Sequence, residues 1–212
     1  MIMSVVRALK RSDQGLALVE FAISLPVLLT LGLVGLETAN YALAHLRVSN
    51  IAVMTADNAA RVRDSIDEAD VQELMLGSML SGESIEFKAN GRIILSSLER
   101  NAANTGQWIR WQRCDGTRNE TSRYGVQGTG QNNASLQSIN TGANSIAASP
   151  GTAVLVAEVT YQYQPLISEA IFGTPVIRYE SAFNVRQRTN QALTNTSNLT
   201  TAQRRTCNFF QA

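Results

Sequence analysis

A carboxylate stands inside the most apolar stretch of this chain. Glu20 is the only strongly polar side chain between residues 16 and 36, and Gly15 precedes it by five positions. Charge inside an apolar phase is heavily penalised, so such a residue is a functional candidate by default. The residues alone also allow a plainer reading, an acid near a helix N-terminus where the helix dipole favours negative charge and water is close. Other reactive side chains are few. His45 is the single histidine, Cys114 and Cys207 are the only cysteines, and no C-x-x-C is present. That inventory is too thin for a four-ligand zinc site and removes most routes to nucleophile–base catalysis. Asp67, Glu68, Asp70 and Glu73 crowd together, but the EF-hand order of acids around a central glycine is missing. A helix start, where the dipole welcomes acids, accounts for them. The expectation is a protein with no metal, no cofactor and no catalysis of its own.

Residues 16–36 would rise roughly 30 Å as a helix, the thickness of a bilayer core. The run is too long for the apolar region of a cleaved secretory signal, and no small-residue cleavage site follows it. Arg7, Lys10 and Arg11 lie before it and Glu37 just after. The positive-inside rule then predicts a cytoplasmic leader over 1–15, one span over 16–37 and everything else on the outer side of the cell membrane. Pro26 inside the span is tolerable in lipid, where Ser and Thr side chains and neighbouring helices can satisfy the carbonyl it frees.

The apolar pattern does not stop at the span. Tyr41, Ala44, Val48, Ile51, Ala52, Thr55, Ala59, Val62 and Ile66 recur at three- and four-residue steps, which predicts that the helix continues over 38–66 as an amphipathic stalk. Asp57 and Arg61 form an i,i+4 pair in the favourable orientation. His45, near the membrane exit, reads as a solvated interfacial residue. Ser65 and Glu68 have capping-box spacing and predict a second helix over 66–80.

The rest, 67–212, reads as an extracytoplasmic α+β head: a helix covered by four or five antiparallel strands, so that the whole chain has a lollipop shape. Residues 84–89 and 92–97 flank Asn90-Gly91 and predict a hairpin. Alternation predicts further strands at 107–113, 153–163 and 175–185. Trp108 and Trp111, three apart in a strand, must face opposite sides, one of them the core. Residues 115–151 are rich in Gly, Asn, Ser and Thr and read as a long flexible loop, either a functional surface or a solvated insertion. The tail, 187–211, is expected to hold little regular structure. Two cysteines on the outer side of a membrane favour a Cys114–Cys207 disulfide, which would pin that tail to the sheet.

The run Gly15-L-A-L-V-Glu20-Phe21-A-I-S-L-Pro26-V-L-L, with Glu37 beyond it and Asn58-Ala-Ala-Arg61 further on, resembles the TadE/TadG-like minor pilins, or pseudopilins, of tight-adherence pilus systems. The likeness is strongest over 10–65 and weaker over 153–166. It implies that a prepilin peptidase cuts the bond between Gly15 and Leu16, and that Glu20, the fifth mature residue, pairs with the N-terminal amine of a neighbouring subunit. Phe21 and Pro26 belong to the same register-setting segment. Leu16 departs from the phenylalanine usual at the first mature position of type IV pilins. The partners implied are the inner membrane, the peptidase, other pilins and the pilus assembly platform; no nucleic acid is implied. Two functions therefore compete: a processed structural or assembly subunit of a pilus, and an uncleaved single-pass anchor carrying a binding or sensor domain.

Overall fold

The computed structural model describes residues 14–141 and 144–208. The basic leader carrying Arg7, Lys10 and Arg11 lies outside the described residues. Helix α1 (Gln14–Arg61) runs unbroken through Pro26. Its first part carries almost nothing but apolar side chains and is exposed throughout 15–36. From Ala44 onward one face is buried: Val48, Ile51, Ala52, Thr55, Ala56, Ala59 and Ala60 are all at or near zero exposure. The predicted stripe thus holds as far as Ala59. Small residues dominate it because the helix lies close against a sheet, and its two larger members, Val48 and Ile51, each contribute about 1.5–3 kcal/mol by burial.

The helix stops at Arg61, five positions short of the sequence expectation. Two arginines from the distal chain meet its last carbonyls. Arg188 Nη1 donates to Ala59 O at 3.3 Å and the Arg186 amide donates to Ala60 O at 3.3 Å. Cations and donors at this end satisfy the orphan carbonyls and oppose the helix dipole. Asp64 then adopts a left-handed conformation (φ 57°) and opens strand β1 (Asp64–Asp67). Val62 and Ile66 still pack in the core, Val62 partly and Ile66 fully, but not as parts of α1.

Helix α2 (Glu68–Ser81) begins two residues later than expected. Its capping box uses Asp67 and Asp70 instead of Ser65 and Glu68, because β1 extends through the predicted start. A 3-10 turn (Glu83–Ile85) and helix α3 (Phe87–Asn90) follow. They replace the first strand of the predicted hairpin. Phe87 is fully buried and stacks on Tyr161 with ring centroids 5.9 Å apart, which winds this segment inward. Gly91 serves that approach and not a hairpin turn: a Cβ there would lie 2.6 Å from Phe87 Cε2.

Strands β2 (Gly91–Arg100) and β3 (Gln107–Asp115) are followed by a small hairpin, β4 (Ile139–Thr141) with β5 (Asn144–Ile146). Then come β6 (Ala153–Gln162), helix α4 (Glu169–Phe172), β7 (Val176–Asn184) and β8 (Arg188–Thr194). The main sheet is antiparallel in the order β3-β2-β6-β7, and β1 pairs with β8 in parallel. The architecture is α+β, a long helix with a four-stranded head.

Each face of the sheet has its own core. Ile93, Leu95, Trp111, Leu155, Ala157, Val159 and Ile177 meet α1 and α2, while Leu98, Ile109, Val154 and Val156 meet Leu136, Ile139 and Ala148. The last three belong to the polar stretch read as a loop. A few apolar residues spaced through it cover the second face, while residues 131–135 stay exposed. The tail also departs from expectation, since β8 ties it to β1. Trp111 is the core tryptophan, its indole N–H donating to Gln191 O at 3.2 Å. Trp108 is half-exposed beneath Arg110, whose guanidinium carbon lies 5.8 Å from the ring centre.

Candidate functional site

Gly15, Leu16, Glu20, Phe21 and Pro26 all lie on the exposed part of α1. Leu16 is 69% exposed and Phe21 61%, and among the described residues nothing comes within 4 Å of where a Cβ on Gly15 would sit. No packing among the described residues therefore requires glycine at position 15. Glu20 is exposed and has no hydrogen bond or ion pair among the described residues. Thr30 Oγ1 donates to Pro26 O at 2.6 Å and Ser24 Oγ to Phe21 O at 3.0 Å. Neither meets the Ala22 carbonyl, which loses its helical donor to the proline. The fold gathers none of these residues against the head. What it presents is a bare apolar rod with one carboxylate near its start. Among the described residues this is the one helix long and apolar enough to cross a membrane.

Residues 15–62 match the family model for TadE-like proteins. No curated protein and no solved structure matches the chain. The TadE-like segment coincides with α1 almost end to end, covering both the exposed rod and the stalk buried in the head. The family is associated with the tight-adherence pilus.

At the base of the rod Glu37, the acid that follows the apolar run, is built into the head. Glu37, 2% exposed, takes hydrogen bonds from the Tyr163 hydroxyl and from the amides of Leu166 and Ile167, both at 3.1 Å. Asn40 Nδ2 donates to Tyr163 Oη at 2.7 Å. Burial and then the adjacent carboxylate push the Tyr163 phenol up to about 12. One turn on, Tyr41 meets Tyr163 and His45 edge to face, with centroids 4.9 Å and 4.6 Å apart. His45 Nδ1 lies 3.1 Å from Tyr179 Oη. It is half-buried between α1 and β7, not the solvated residue expected. A cleft of about 270 Å³ lined by Glu37, Thr38, Tyr41, Tyr163, Phe172 and Pro175 opens beside this cluster. The available signal was the placement of Glu37. An acid directly after an apolar run is either solvated or partnered, and Tyr163 lies in the second stretch that carried the family likeness.

The remaining polar residues serve the fold. Cys114 and Cys207 form the expected disulfide. Around it, the Cys114 amide donates to Arg205 O at 2.7 Å, the buried Arg92 donates to Cys207 O at 3.0 Å, and Arg205 pairs with Asp115 at 2.8 Å. The acids at the start of α2 divide their tasks. Glu68 is buried and paired with Arg113 through two of its guanidinium nitrogens. Asp67 accepts from the amides of Ala69 and Thr196 and from the hydroxyls of Thr194 and Thr196. Burial alone would raise the Asp67 carboxyl, but these bonds outweigh it and hold it well below the usual range. Asp57 pairs with Arg61 at 2.6 Å, as its spacing predicted, and with Arg186 at 3.0 Å.

Proposed function

We propose that this chain is a minor-pilin-like structural or assembly subunit of a tight-adherence pilus, processed after Gly15 and without catalytic chemistry of its own. The observation that carries the reading is the division of α1. One continuous helix is bare and apolar over 15–36, where Glu20 has no partner among the described residues, and has one face buried in a head over 44–60. A subunit that inserts in a membrane and packs against copies of itself needs that division. The rod supplies apolar surface, and Glu20 supplies one charge whose burial is tolerable only beside a cation, so it sets axial register between helices. The free amine left at Leu16 by cleavage is the cation proposed. The TadE-like match over 15–62 supports the assignment. The partners proposed are the prepilin peptidase, other pilins and the assembly platform, with the N-terminus cytoplasmic and the head outside.

The test is the mature N-terminus of protein taken from native membranes, read by intact mass and terminal peptide mapping, with Gly15→Ala and Glu20→Ala beside wild type. The expected result is a start at Leu16 that Gly15→Ala abolishes and Glu20→Ala permits, with Glu20→Ala failing to assemble. An intact terminus in every sample would replace this reading with that of an uncleaved anchored factor.

A further inference from the structure

The connection between β6 and β7, residues 163–175, reads Tyr-Gln-Pro-Leu-Ile-Ser-Glu-Ala-Ile-Phe-Gly-Thr-Pro and contains one charged side chain, Glu169. Leu166 is 64% exposed and Ile171 73%. A scattered exposed leucine needs no explanation. These two differ because their height along α1 is set. The amides of Leu166 and Ile167 both donate to Glu37 Oε2, and Glu37 directly follows Leu36, the last residue of the bare apolar run. Leu33 and Leu36 are themselves 46% and 55% exposed. The apolar surface therefore does not end at Leu36; at the height of Glu37 the loop adds Leu166 and Ile171 to it. The loop is also bounded by prolines, Pro165 and Pro175, and its backbone is anchored rather than free.

We propose that residues 166–172 are a second membrane contact, in which Leu166 and Ile171 enter the interfacial layer of the leaflet from which α1 emerges. The occupant of this surface is the bilayer itself, because the surface is continuous with the span and exposed apolar patches of this kind mark membrane contacts. The proposal rests on reading residues 15–36 as a membrane span. Its consequence is orientation. A head held by one helix tilts in any direction with it, whereas a head held by a helix and a loop braced on Glu37 keeps one inclination to the bilayer, with the loop side down.

The test uses the full chain in vesicles of phosphatidylethanolamine and phosphatidylglycerol. Both native cysteines are in the disulfide, so a single introduced cysteine takes an environment-sensitive fluorophore. Labels go at Leu166→Cys and Ile171→Cys, at Leu28→Cys within the span, and at Ala102→Cys in the exposed turn at the opposite end of the sheet. Nitroxide-bearing lipids serve as quencher. The expected result is a blue shift at 166 and 171, with lipid quenching about threefold or more above that at 102. Quenching at 28 while 166 and 171 behave like 102 would overturn the proposal and leave the span intact. No quenching at 28 would remove the span reading and the proposal together. A blue shift at 166 and 171 without lipid quenching would also overturn it, by showing that protein, such as a second copy of this chain, covers the loop.

Discussion

The Tyr163 hydroxyl donates to the Glu37 carboxylate across 126 residues of chain. This bond, with the two loop amides on the other carboxylate oxygen, joins the exit of the apolar rod to the end of the sheet where β6 passes into β7. Replacing Glu37 by alanine leaves three donors without their acceptor. The expected loss is roughly 2–3 kcal/mol, with Glu37→Gln costing less because one oxygen still accepts. Urea unfolding of the full chain in detergent checks the magnitude, and amide exchange at 166 and 167 should quicken in both variants.

The same pair gives the head an alkaline weakness. The Tyr163 phenol is pushed up to about 12, by burial first and by Glu37 second, against about 10 for a free tyrosine. The folded state therefore favours the protonated phenol. Its contribution is complete below pH 10 and is lost as pH rises from about 10 through 12. Tyr163→Phe should flatten this part of the pH–stability curve relative to wild type, as read by thermal unfolding between pH 9 and 12.

Asp67 acts in the opposite direction. Its carboxyl is held well below the usual range by hydrogen bonds that exceed the effect of burial. Its stabilisation is present above the unfolded value of about 4 and disappears as pH falls below it. Asp67→Ala removes the cap of α2 and the clasp on residues 194–196. The expected cost is about 1–2 kcal/mol at neutral pH, shrinking in acid. Chemical unfolding at pH 7 and pH 3 tests both statements.

Glu68 and Arg113 are an ion pair with side chains 4% and 9% exposed. Removing one partner strands a buried charge, so Glu68→Ala should cost about 3–5 kcal/mol. Replacing the pair together, as Glu68→Leu with Arg113→Met, should cost much less than the sum of the single changes. A double-mutant cycle by urea unfolding measures the difference.

The Cys114–Cys207 disulfide closes a loop across a sequence separation of 93. The chain-entropy model assigns it about 4–5 kcal/mol. The Cys114→Ser/Cys207→Ser variant should lose most of that and release protection in the tail around 205–207. The comparison is of unfolding midpoints with the oxidised wild type.

What the sequence could specify was whatever depends on neighbours along the chain. The length of the apolar run, its lone Glu20, the 3.6-residue stripe through Ala44, Val48, Ile51 and Ala59, and the alternation in β3, β6 and β7 are all periodicities within a single element. They survive any arrangement of the rest. The Cys114–Cys207 bond followed from the chain's two cysteines and the expectation that both lie on the outer side of a membrane.

What the tertiary structure decided depends on partners far away in sequence. Arg186 and Arg188 end α1 at Arg61, β8 recruits residues 64–67 into a strand, and the burial of Phe87 against Tyr161 turns an apparent hairpin into a short helix. Leu136, Ile139 and Ala148 carry a sparse signal, yet they close a core because the second face of the sheet must be covered. Glu37 looked like a boundary charge for the same reason. A carboxylate is read as solvated until the donors that bury it, here 126 to 130 residues distant, are brought into place by the fold.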